Sequence, residues 1–210
     1  MNRALVIPVA LCVLSGCTGV VRSTQLRGDY ETTDKTRTTR LVIVVQPEPG
    51  QKPKVAQLWA LMARRYVHLK RQYIVKAATT SAEPASALNA QQLCAATVAT
   101  LEEGEKLEGV LWLEPTRLDG NAEGTEFVAG ARGRLLRCGD GEQIWSAEGG
   151  GSWRAGDQDT LQQSWNYAAE LGAEVGPYVA PTWGLLRPIL DTLPEVVLDE
   201  AAQEEKVLAE

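Results

Sequence analysis

The sequence predicts an α/β (α+β) fold built on a single mixed β-sheet of about five strands. Three observations lead there. "LVIVVQ" at 41–46 is a continuous apolar, β-branched run, the mark of a strand buried on both faces. Apolar residues recur at helical spacing through 53–69. Three strand-like segments then follow one another with short connections between 109 and 153. Helices alternating with strands early and an antiparallel meander late give the order β-α-β-α-β-β-β-α. The helices are expected to pack on the sheet, and a short C-terminal helix closes the chain.

Each element has a local reason. Pro53 suits the first position of a helix, where its missing N–H costs no intrahelical bond. Val55, Leu58, Trp59, Met62, Tyr66 and Leu69 then line one helical face. "YIVKAA" at 73–78 reads as the second strand. A second helix runs from about Leu88 to Leu101, with Cys94, Val98 and Leu101 on one side and Gly104 at its end. The later strands are expected at 109–118, 125–138 and 142–153, and "GDG" at 139–141 is a tight hairpin turn. Asp157 or Asp159 can cap a third helix whose stripe is Leu161, Trp165, Ala168, Gly172 and Val175. Pro177 and Pro181 interrupt that pattern, so 177–194 is expected to be a proline-broken helical segment. From Glu195 to the end there are six acids and one lysine, which reads as a frayed acidic tail over 195–210.

The N-terminus gives the address. Arg3 precedes an apolar run from Ala4 to Leu14, about half the ~20 residues needed to span a bilayer. A positive start, a short apolar stretch and small residues before a break have the layout of a secretory signal. The break, "LSGC" at 14–17, resembles the lipobox of bacterial lipoproteins at all four positions. That resemblance implies a signal peptide over 1–16 and acylation of Cys17, which becomes the first residue. Several acyl chains anchor stably where one is marginal. Thr18 after the cysteine, by the same resemblance, implies outer-membrane location, lipid-anchored and facing the periplasm. Residues 17–40, rich in Thr, Arg and Asp, are expected to form a flexible tether to an α/β domain at 41–176.

Composition narrows the chemistry. The chain has 210 residues and a net charge of −6, which argues against nucleic acid as a partner. Of four cysteines, Cys12 leaves with the signal and Cys17 takes lipid. Export places Cys94 and Cys138 in an oxidising compartment, where a disulfide between them is expected; two buried free thiols are the alternative. Two cysteines and the single His68 make no recognisable metal spacing. The common hydrolase and nucleotide-binding motifs are absent from the sequence, so neither a catalytic site nor a cofactor is expected. Arg64, Arg65, Lys70 and Arg71 form a basic cluster that reads as a solvated helix end. Most of the six tryptophans fall at core positions. Trp183, beside Tyr178 and Leu186 in the proline-broken segment, is the best candidate for partner contact, with packing back onto the domain as the other reading.

"EGVLWLEPTRL" followed by "LLRCGDGEQIWS", with Leu135, Gly141, Ile144 and Trp145 at the hairpin positions, resembles a recurrent pattern in exported bacterial proteins. The group includes the curli-secretion channel subunit, the amino-terminal domain of the Tol-system periplasmic protein and the lipoprotein activator of penicillin-binding proteins. "PYVAPTWGLLRPILDTLP" is similar to a segment of uncharacterised lipoproteins of myxobacterial and spirochaete type. The resemblance implies the α/β fold over roughly 41–175. It also implies a non-enzymatic role exercised by touching an envelope protein. The alternative it carries is a subunit of an oligomeric secretion or transport complex.

Overall fold

Arg40–Val45 (β2) is the strand that organises the molecule. The computed structural model describes residues 18–121, 125–154 and 166–208. Leu41, Ile43 and Val45 enter one hydrophobic cluster, while Val42 and Val44 enter a second on the opposite face. Alternate side chains of one strand thus fill two cores, which is why the run needed no polar residues. Pro53–Lys70 (α2) follows, then Ile74–Thr80 (β3), parallel to β2. Ala87–Val98 (α3) opens on Ser86, whose hydroxyl accepts from the Asn89 N–H. Gly109–Gly120 (β4) returns parallel to β2, with Leu41 opposite Gly109 and Val45 opposite Leu113. Glu126–Arg137 (β5) and Gln143–Arg154 (β6) complete the expected meander. Its turn uses Gly141 at φ 71°, and a Cβ there would collide with the backbone of Ala87 at the start of α3.

The sheet has six strands, not about five. The sixth lies in the segment expected to be a tether. Thr18–Leu26 (β1) pairs antiparallel with β6, giving the spatial order β1-β6-β5-β4-β2-β3. The short helix Tyr30–Thr33 (α1) follows, and Tyr30, Asp34, Thr38 and Thr39 are all buried. Residues 18–40 are therefore part of the fold. Their composition misled because β1 is covered on one face only and its partners are backbone groups. Asp34 and Thr38 are buried as hydrogen-bonded groups and not as apolar ones.

The C-terminal third also departs from expectation. Helical residues 166–171 and a 3-10 turn at Ala173–Val175 lead into one 16-residue helix, Gly176–Asp191 (α4), with Pro181 and Pro188 inside it. The Asp157, Asp159, Leu161 and Trp165 positions of the expected third helix lie outside the described residues. The acidic tail contains Glu200–Leu208 (α5) with Ala202 buried. α2 and α4 lie on the face holding the large cluster, and α3 covers part of the other. Among the described residues, no helix covers that second face beyond α3.

Candidate functional site

Residue 17 lies outside the described residues, but residue 18 is already in the sheet. β1 begins where the expected acylation site ends, and it is an outermost strand. Its inward face is tight. A Cβ on Gly19 would fall on the Gly184 carbonyl and 3.3 Å from Pro188 Cγ. Pro188 has no N–H for the carbonyl four residues back, which is that of Gly184. The carbonyl left free by the proline is thus the surface on which Gly19 of β1 rests. The outward face and edge are open. Val20 is 57% exposed, Arg22 lies over Gly150, and Ser23 through Leu26 are exposed. A bulge between Val21 and Ser23 interrupts the register. Among the described residues no strand pairs with the outer edge of β1.

The face beyond α3 continues across the sheet as a charged ladder. Glu114 stands opposite Arg132, and Arg132 opposite Glu148. Arg132 reaches Glu148 at 3.4 Å, and Glu114 also holds Arg134. Alternating signs on neighbouring strands neutralise one another, so this strip carries no strong field.

A second cluster sits at the opposite sheet edge. Arg40 binds Glu205 through Nε at 2.8 Å and Nη2 at 2.7 Å, and Lys76 reaches Glu205 at 2.6 Å. Lys76 also holds Glu105, and the Glu108 carboxylate accepts from the Thr39 and Arg40 backbone N–H groups. Burial pushes Glu205 up, yet Arg40 and Lys76 outweigh it and leave the carboxyl below its ordinary value. Lys206 Nζ donates to the carbonyls of His68, Arg71 and Tyr73, each at 2.8 Å, and burial pushes that amine down. These groups fasten α5 to α2 and β3. Their charges are consumed in the fastening.

Asp34, 1% exposed, takes both Nε (2.9 Å) and Nη2 (3.0 Å) of Arg137 and the Thr38 hydroxyl at 3.1 Å. This fixes the 27–39 segment against the end of β5. The tyrosine hydroxyls near the C-terminal segment are also committed. Tyr73 donates to the Pro194 carbonyl and Tyr30 to that of Glu195. Burial pushes Tyr30 up to about 12, and burial with the Asp191 carboxylate does the same to Tyr66.

The sequence-predicted residues fall as follows. Cys94 and Cys138 form a disulfide with Cα atoms 5.7 Å apart, joining α3 to the end of β5 over the smaller cluster. Leu186 is 1% exposed and packs in the main core, which corrects its expected role: a side chain so enclosed meets no partner. Tyr178 and Trp183 are half-buried, Tyr178 edge-on to Phe127 at 5.6 Å and Trp183 edge-on to Tyr66 at 5.5 Å. The basic cluster is dispersed: Arg65 bonds Glu170 and stacks over Tyr167, while Arg71 reaches Glu195. His68 is half-buried at the end of α2. Among the described residues no set of three His, Cys, Asp or Glu could hold a metal ion, and no helix is long and apolar enough to cross a membrane. The feature that sequence reasoning missed is β1. Its only signal was the β-branched pair Val20 and Val21 among Thr and Ser, three and four residues from Cys17.

No protein-family model matches the chain, and no curated protein matches it. Several solved structures are similar in outline. The PelC dodecamer from Paraburkholderia phytofirmans is 16% identical, with a TM-score of 0.42, over 77% of this chain and 98% of that one. The hypothetical protein CT253 from Chlamydia trachomatis is 14% identical, with a TM-score of 0.42, over 73% and 94%. Lipoprotein GNA1162 from Neisseria meningitidis is 13% identical, with a TM-score of 0.36, over 65% and 99%.

Proposed function

We propose that this chain is a non-enzymatic lipoprotein of the bacterial outer membrane, anchored through Cys17, that acts by protein contact along the free edge of β1. The observation that carries the reading is the edge itself. Alternate residues along this nine-residue strand turn their N–H and C=O groups outward, and no other strand among those described takes them. Exposed edges are templates for pairing, and proteins that do not use them blunt them with charge, proline, bulges or a cover. β1 has no lysine or proline, Arg22 is its only charged residue, and the bulge between Val21 and Ser23 leaves the stretch from Ser23 to Leu26 in regular register.

The test uses the full chain in its native envelope. A photo-reactive residue placed at Ser23 or Gln25 of β1 is expected to cross-link one specific envelope protein. The same residue at Glu103, far from β1, is expected to give no such adduct. Metabolic labelling with palmitate is expected to mark the wild-type chain and not Cys17→Ser. Absence of any adduct unique to β1 would remove the contact reading. An adduct of twice the chain's own mass would assign the edge to a second copy and make the chain a subunit of an oligomeric secretion or transport assembly.

A further inference from the structure

We infer that one end of the sheet is a membrane-facing surface, and that Val20 and Val128 lie against the lipid headgroups there. This rests on the reading that Cys17 carries the anchor. The argument is one of register. Thr18 is opposite Ser152, Ser152 is opposite Val128, and Val128 is opposite Asp119. These four form a row across β1, β6, β5 and β4. Neighbouring strands are about 4.8 Å apart, so Val128 lies roughly 10 Å from Thr18 and Asp119 roughly 14 Å. The acylated residue is a single step of about 3.8 Å before Thr18. A tether of some twenty flexible residues would let the domain swing over about 25 Å. With residue 18 already paired, that freedom is gone, and the row through Thr18 is held near the bilayer.

The chemistry of this end suits an interface. Val20 is 57% and Val128 40% exposed. They share the face turned away from α4, because Val20 is opposite Gly150 and Gly150 is opposite Gly130, two residues along from Val128. Beside Val128 a surface depression of about 330 Å³ is bounded by Asp119, Asn121, Glu126, Phe127, Ser152 and Trp153. The Asp119 carboxylate already takes Arg117 at 2.5 Å, so it presents little bare negative charge to lipid phosphates. Tyr178, edge-on to Phe127, sits at the same end. The occupant is the phospholipid surface that holds the acyl chains.

The opposite end supplies the control. Gly139, in the turn beyond β5, is more than eleven residues along the strand from Glu126, roughly 36 Å at about 3.3 Å per residue. A Cβ at Gly139 meets nothing within 4 Å. In the mature lipidated chain an introduced cysteine is the only free thiol, since Cys94 and Cys138 are bonded to each other. Full-length Val20→Cys, Val128→Cys and Gly139→Cys would each carry an environment-sensitive dye. They would be reconstituted in vesicles of phosphatidylethanolamine and phosphatidylglycerol after acylation is checked by intact mass. Dye at Val20→Cys and Val128→Cys is expected to shift to the blue and to lose intensity when brominated lipid is included. Dye at Gly139→Cys is expected to do neither. If the acylated protein gives the same response at all three positions, the membrane-facing assignment falls while the anchor stands. If no acylated mass is found, the anchor and this assignment fall together.

Discussion

The indole of Trp153 lies against the backbone of Gly184. A Cβ built on Gly184 would overlap the indole nitrogen and stand 2.8 Å from Cε2. Trp153 is 1% exposed and has no room to withdraw. Gly184→Ala should gain about 1 kcal/mol of helix propensity. Overpacking should cost about 1–3 kcal/mol or more, and here the clash should win. Urea unfolding of Gly184→Ala is expected to show a lower midpoint. Gly176→Ala in the same helix, where a Cβ meets nothing within 4 Å, is expected to leave it unchanged or raise it.

α4 is core. Val179, Leu185, Leu186, Ile189 and Leu190 are each at most 1% exposed. Leu186→Ala is expected to cost about 2–5 kcal/mol. Truncation after Gly176 should abolish the cooperative unfolding transition altogether, as followed by circular dichroism. A truncated chain that unfolds cooperatively would show that the sheet stands without α4.

The 44-residue separation of Cys94 and Cys138 makes the disulfide a large constraint on the unfolded chain. A loop of that size contributes about 4 kcal/mol in the chain-entropy account. Cys94→Ser with Cys138→Ser should lower stability by an amount of that order. Adding reductant to the unfolding experiment should reproduce the loss in the wild type and leave the double variant unaffected.

Lys206 closes the C-terminal end of α2 with three charge-assisted hydrogen bonds. Lys206→Met should cost roughly 1.5–3 kcal/mol. Hydrogen exchange is the sharper readout: amides of α5 and of the last turn of α2 should lose protection together, with those of β5 unchanged.

Acid should release the same corner. The Lys76 hydrogen bond holds the Glu105 carboxyl below its ordinary 4.5, and Arg40 and Lys76 hold Glu205 below it against burial. A carboxyl whose folded value is depressed contributes stability that is fully present above its unfolded value. That contribution is lost as pH falls through the folded value. The urea midpoint should therefore drop between about pH 5 and about pH 3. Glu205→Gln should be less stable at neutral pH and show a shallower acid drop. A variant with the wild-type slope would remove Glu205 from this role.

What the sequence made legible was the interior. β2 could be read because it is buried on both faces, and α2 because its stripe faces a single core. The hairpin turn could be read because Gly141 adopts a conformation that few other residues reach. β1 could not be read, since its stabilising partners are the backbone of β6 and the Gly184 carbonyl, which no local pattern encodes. α5 was hidden for a related reason: polar side chains hold it, and Glu205 and Lys206 look the same in a tail as in a clasp. Pro177 and Pro181 signalled a break, yet Pro177 stands in the first turn of α4 and the helix continues through Pro181 and Pro188. The Gly184 carbonyl that Pro188 leaves free became a contact surface for β1. The candidate contact edge therefore leaves no local pattern in the sequence, whereas the aromatic side chains of Tyr178 and Trp183 do.

The clasp between Arg40 and Glu205 spans 165 residues of chain, and that between Tyr30 and Glu195 spans the same number. The first-made part of the domain thus waits for the last. Loop-closure entropy must be met before such distant contacts return anything, which makes assembly slow. A chain threaded outward from its N-terminus cannot set these clasps until nearly all of it has crossed. On the export route proposed above, the topology that ties the two ends together would hold back folding until translocation is nearly complete.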